Sequence, residues 1–208
     1  YAESGGQIGD QGQIVRDDAT FEVTDTQEQS GFFLHIGRMR TGVLNLGAPV
    51  CAEVDQLRRH AIALNHSATH LLHAALRNVL GAHVEQRGSL VEAERARFDF
   101  AHPQPMTAEE RCEVERRVNQ EIRNNTPGTA DVIPYREAVD GGAIALFGEK
   151  YAEEVRVLRI GDFSIELCGG THVTRTGDIG NVRLVSESGI ASGVRRIEAL
   201  TGEAARLH

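Results

Sequence analysis

The spacing of apolar positions changes character four times along the chain. From Gln13 to about Val54, short β-like runs such as FEVTDT and FFLHIGRMR alternate with Gly and Asp/Asn turn signals, which predicts a small β-barrel-like subdomain. Around Asp55 a helical period takes over. Leu64, Ala68, Leu71, Leu72, Ala75 and Val79 form a wide apolar stripe that ends at Gly81, the pattern of a long core helix. Beyond it, RARFDF sets Arg95, Arg97 and Asp99 against Ala96, Phe98 and Phe100, the period of a strand with one wet face. Thr107 and Glu110 then have the spacing of a capping box, and Val114, Val118 and Ile122 continue the buried side of the helix it opens. VRVLRIGDFSIEL reads as a hairpin turning at Gly161 and Asp162, and NVRLVSES and GVRRIEAL as two further strands. Strands mixed with a few long helices indicate an α+β fold with an antiparallel sheet. The expected organisation is a glycine-rich β subdomain over residues 1–54, a second domain over 55–202, and the start of a helix over 203–208.

Composition narrows the picture further. At 208 residues the chain is long enough for one large domain or two modest ones. No apolar run approaches the roughly 18 residues that span a bilayer, so no membrane partner is expected. Three cysteines, Cys51, Cys112 and Cys168, make a poor disulfide framework in a chain of this size and fit a reducing cytoplasm. The formal net charge of -8 argues against holding nucleic acid through a broad basic face. The first residues lack the features of a secretory signal and read as those of an excised piece.

The chemistry concentrates in two stretches. In NHSATHLLH, His66 and His70 lie four residues apart on one helix face and can direct nitrogens at one point, with His73 on much the same side. The zinc-protease motif does not apply, because Ser67 stands where that motif needs a glutamate. ELCGGTH then offers Cys168 and His172 at the end of a strand, with Gly169 and Gly170 allowing the backbone to fold tightly between them. Thiolate and imidazoles together are a zinc set. Four protein ligands would make the ion structural, whereas an open position would admit water or substrate. His73 reads either as a donor to a ligand's partner or, preferably, as a packed core histidine.

HSATHLLH, QRGSLV, FGEKY, ELCGGTH, TGDIG and SESGIASGVRRIEALTG together resemble the editing domain of the alanyl-tRNA synthetase family and its free-standing relatives, over nearly the whole chain. YAESGGQIGDQG resembles the glycine-rich stretch that opens that region in the full-length synthetase. The resemblance implies an α/β-sandwich editing domain that hydrolyses the ester of tRNA for alanine wrongly charged with serine or glycine. It implies one Zn²⁺ held by His66, His70, Cys168 and His172, and a pocket lined by Thr69 and Gln86. It also implies that ATP is used only by an aminoacylation domain outside this chain, and that the remaining synthetase domains are partners. A threonine hydroxyl and a glutamine amide can bond a seryl hydroxyl, though both residues also have plain packing or surface readings. Gly5, Gly6 and Gln7 resemble a mobile element beside the site. Lys150, with Arg195 or its neighbour Arg196, supplies cations for the tRNA acceptor end. Since adjacent strand residues face opposite ways, at most one of the two arginines reaches RNA. The rival function is a non-catalytic zinc-stabilised module that binds the acceptor end.

Overall fold

A computed structural model describes residues 1–145 and 151–208. The chain begins with strands β1 (Gly12–Arg16), β2 (Ala19–Gln29), β3 (Phe32–Thr41) and β4 (Cys51–Val54), which form an antiparallel sheet in the order β3-β2-β1-β4. Ser30 and Gly31, with φ of 53° and 82°, make the tight two-residue turn between β2 and β3. Helix α1 (Gln56–Leu80) follows, then β5 (Gln86–Val91), β6 (Ala96–Ala101), α2 (Ala108–Asn124), β7 (Gly128–Pro134) and α3 (Tyr135–Asp140). The remaining elements are β8 (Glu154–Ile160), β9 (Ser164–Leu167), a 3₁₀ turn (Thr176–Ile179), β10 (Val182–Ala191), β11 (Val194–Thr201) and α4 (Gly202–Leu207).

The α+β expectation holds, but the N-terminal strands do not close into a barrel. Strands β3 and β4 are the two edges of an open sheet, and every residue of β3 is exposed. The other strands make two antiparallel sheets, β10-β11-β6-β5 and β7-β8-β9. The β8–β9 hairpin turns at Gly161–Phe163, where the turn was expected.

Helix α1 is the axis of the core. Asp55 caps its start by accepting from the Arg58 N–H, and the Gly81 N–H bonds back to the Arg77 carbonyl at its end. Leu71, Leu72, Ala75 and Leu76 pack against Phe98 and Phe100 of β6, Val114, Val118 and Ile122 of α2, and Leu158 and Ile160 of β8. Helix α2 is held in register by the expected capping box: Thr107 Oγ1 accepts from the Glu110 N–H at 3.1 Å, and Glu110 returns the bond at 2.8 Å. A smaller core of Ala138, Ala143, Val155, Val157 and Leu167 fastens α3 to the third sheet.

The face of β6 expected to be wet is only partly so. Arg95 is exposed, but Asp99 is buried at 5% exposure. Strands β5 and β11 flank β6, and Arg196 on β11 grips Asp99 with two bonds of 2.7 Å, so Asp99 is covered while Arg95 stays in solvent.

Candidate metal centre and its pocket

Every residue of α1 from Asn65 to Leu76 is buried. That run includes His66, Ser67, Thr69, His70 and His73, polar groups that a helix buries only when each finds a partner. The His66 and His70 rings stack on consecutive turns with centroids 5.2 Å apart and planes 14° apart. The His172 ring lies 4.4 Å from the first and 5.0 Å from the second. Cys168, immediately after β9, places its Sγ 3.5 Å from His66 Nε2 and 3.2 Å from His172 Nε2. One ligand atom from each of His66, His70, Cys168 and His172 fits within 4.8 Å of all the others. A tetrahedron with bonds of about 2.0–2.3 Å has edges of about 3.3–3.7 Å, so small adjustments bring all four onto one ion. The two helical histidines and the two from the CGGTH turn therefore meet as expected.

The turn needs only one of its two glycines. A Cβ on Gly170 would lie 2.1 Å from the His66 ring, whereas nothing stands within 4 Å of one on Gly169.

Each imidazole is held at Nδ1, which leaves Nε2 for the cluster. His66 Nδ1 lies 2.7 Å from Gln7 Oε1, His70 Nδ1 2.9 Å from Glu166, and His172 Nδ1 3.3 Å from Ser67 Oγ. His70 Nε2 is buried with no hydrogen-bond partner among the described residues. This unpartnered ring nitrogen stands beside Cys168 and two other imidazoles, a place that a cation would fill.

Electrostatics agrees. Burial would raise the Cys168 thiol, but the His70 charge and hydrogen bonds from His172 and His66 outweigh it and hold the group at about 2, a thiolate at neutral pH. Burial also pushes His172 down to about 3, keeping it neutral. Burial opposes a charge on His70, but buried Glu166 and Cys168 hold the ring up at about 10. Buried Glu166 and half-buried Cys168 thus converge on one place for a cation, and this donor set suits a borderline-soft dication.

His73 stands outside that four-residue group, although its Nε2, like that of His70, is buried with no hydrogen-bond partner among the described residues. It is buried against Phe98 and points Nδ1 at Glu166, 3.1 Å away, so the packed and the donor readings are both partly right. Glu166, which also receives Ser164 Oγ at 3.2 Å, is a site residue that sequence reasoning missed. Its signal was available: on an extended strand, residue 166 shares a face with residue 168.

Above the cluster opens a cavity of about 320 Å³. Thr69 and Gln86 line it, as does Gly5 from the N-terminal segment. Thr69 Oγ1 donates to the Asn65 carbonyl at 2.8 Å, so toward a ligand it offers only an acceptor. Gln86 Nε2 donates to Ser89 Oγ at 3.2 Å. Arg156, also missed, lines the wall and donates to the Cys168 and Gly170 carbonyls at 2.8 and 2.9 Å. Gly6 and Gln7 lie behind the lining. Arg195 is not brought to the cavity; it pairs with Glu187 at 2.6 Å, while Arg196 faces the other way to Asp99. Lys150, with FGEK, falls outside the described residues.

Cys51, Cys112 and Cys168 are all free thiols, and no helix among the described residues is long and apolar enough to cross a membrane.

Two family descriptions match separate parts of the chain. Residues 155–198 match the threonyl and alanyl tRNA synthetase second additional domain, the stretch that contains ELCGGTH. Residues 1–58 match the class II (A) tRNA synthetases. Among full-length relatives, the alanine-tRNA ligase of Methylococcus capsulatus is 62% identical over 206 residues, 99% of this chain and 24% of the relative. That of Acidithiobacillus ferridurans is 58% identical over the same share of each chain. That of Idiomarina loihiensis is 59% identical over 205 residues, again 99% and 24%. The chain spans about a quarter of the length of these relatives. Matched along almost its whole length by them, and by a synthetase domain description over its CGGTH turn, the chain belongs to the alanyl-tRNA synthetase family.

Proposed function

We propose that this chain is the editing hydrolase of an alanyl-tRNA synthetase, acting in the cytoplasm on tRNA(Ala) whose acceptor end wrongly carries serine or glycine. The observation that carries the proposal is the convergence of His66, His70, Cys168 and His172 beneath a cavity walled by Thr69 and Gln86. In this reading the whole synthetase joins alanine to its tRNA at the expense of ATP in domains outside this chain. A site selecting so small a side chain rejects a missing methyl or an added hydroxyl only weakly, so a second, hydrolytic sieve is required.

Residues 55–202 then form the zinc-binding editing domain and residues 1–54 the glycine-rich subdomain beside it. Zn²⁺, when bound, would supply Lewis-acid polarisation of the ester or of water. The chain's own residues supply the rest. Thr69 Oγ1, its proton committed to Asn65, accepts from a seryl hydroxyl, and the Gln86 side chain flanks the same space. Alanine would leave those groups unpaired at about 1–3 kcal/mol. Arg156 places a fixed positive charge on the wall, suited to the acceptor-end backbone. Gly5, on the cavity wall, allows close backbone approach, whereas Gly6 is packed behind it against β5, and Lys150 remains a candidate phosphate contact. Arg195 would have to leave Glu187 to serve as one.

A second reading has one observation in its favour: four protein donors make a closed shell, the usual form of a structural zinc site. On that reading the module binds the acceptor end without hydrolysing it. Cys168→Ala separates metal-dependent chemistry from metal-free binding. The editing proposal expects zinc content and release of serine from Ser-tRNA(Ala) to disappear together. Full hydrolysis by a demonstrably zinc-free Cys168→Ala chain would refute the metal's part in it.

A further inference from the structure

Gln7 is completely buried, yet it comes from the N-terminal segment and from none of the elements that carry the metal ligands. Ser4 and Gln7 close a tight turn on each other through bonds of 3.1 and 3.0 Å, with Gly5 and Gly6 between them at φ of 58° and 87°. The turn is strapped to β5: the Val91 N–H donates to the Gly6 carbonyl at 2.7 Å, and the Ile8 N–H to the Val91 carbonyl at 3.2 Å. Contact there is so close that a Cβ on Gly6 would lie 2.1 Å from Ser89 Oγ.

From this turn the Gln7 side chain runs to the histidine cluster. Oε1 accepts from the Thr171 N–H at 2.9 Å and lies 2.7 Å from His66 Nδ1. The orientation of the amide is fixed, because a backbone N–H only donates and so must face the oxygen. His66 Nδ1, facing the same oxygen, must then carry its own hydrogen. That leaves the lone pair on Nε2, the atom 3.5 Å from Cys168 Sγ. Meanwhile Gln7 Nε2 is buried without a partner among the described residues, an unfavourable arrangement unless the oxygen at the other end compensates for it. Gly170 completes the fit, since a Cβ there would come within 2.8 Å of that oxygen.

We propose that Gln7 is a positioning residue for the metal centre: through Oε1 it fixes His66 in the tautomer able to bind a metal and ties the N-terminal segment to the CGGTH turn. This rests on the metal-site reading above. It assigns Gln7 a role away from RNA, in keeping with its place behind the cavity wall.

The test is zinc affinity of the 208-residue chain, measured by competition with a chromophoric chelator for the unaltered chain, Gln7→Met and Gln7→Glu, with circular dichroism on each. Gln7→Met keeps the volume and removes the acceptor. It is expected to bind zinc about 10- to 100-fold more weakly with the fold intact. Gln7→Glu keeps an acceptor at the same place and is expected to restore affinity to within about threefold of the unaltered chain. If Gln7→Met fails to fold, Gln7→Asn takes its place with the same expectation, its amide being one methylene too short to reach His66. A folded, acceptor-lacking variant that binds zinc like the unaltered chain would overturn the proposal, as would a folded Gln7→Glu chain as weak as Gln7→Met. Failure of the unaltered chain to bind zinc at all would instead overturn the metal-site reading itself.

Discussion

The N-terminal sheet and the unit around α1 draw on similar apolar side chains and treat them in opposite ways. Phe32 and Phe33 on β3 stand 71% and 69% exposed, whereas Phe98 and Phe100 on β6 are completely buried. Around α1, side chains of β6, α2 and β8 close on the helix, and the three histidines within Asn65–Leu76 are buried with it. Among the described residues, β3 and β4 are the unpaired edges of the β1–β4 sheet, and every residue of β3 is exposed. The difference teaches where the chemistry can be built. A donor set for a soft dication needs a dry, rigid surround that shifts thiol and imidazole toward their binding forms. Among the described residues the α1 unit provides it, and the N-terminal part reaches it through the Ser4–Gln7 turn.

The contrast can be broken by substitution. Phe98→Ala should cost about 3–5 kcal/mol in urea denaturation, since the cavity opens in the middle of a packed core. A loss below about 1 kcal/mol would mean that the core collapses around it and that the rigidity claimed for the α1 unit is wrong. Thr69→Val sharpens the comparison at the site. Packing should be kept, while preference for the seryl over the alanyl ester should drop by about 1–3 kcal/mol. An unchanged ratio of the two rates would reduce Thr69 to a packing residue. Phe33→Ala, at the other extreme, should change stability by less than about 0.5 kcal/mol. A large loss would show that β3 is covered in solution.

Where local period and burial agree, the sequence sufficed. The stripe on α1, the Thr107 capping box, and the i,i+4 spacing within each of the pairs His66/His70 and Cys168/His172 could all be read without coordinates, because each depends on neighbours within a turn or two. Features set by distant chain were harder. Strand β7 has four consecutive exposed residues and no alternation, so only its pairing with β8 makes it a strand. Asp99 looked solvent-facing because Arg196, 97 residues away, is what covers it. Glu166 was passed over although it lies within the quoted ELCGGTH motif, because its work is done on histidines from another element. The barrel failed to close because β3 and β4 do not pair, a matter no local pattern governs.

The most direct measurement is release of amino acid from Ser-tRNA(Ala) and Ala-tRNA(Ala) by the 208-residue chain, with and without a chelator, while circular dichroism follows the fold. The account predicts chelator-sensitive hydrolysis of the seryl ester alone, with the fold retained. Hydrolysis of both esters alike, or hydrolysis that persists once zinc has been removed, would contradict it.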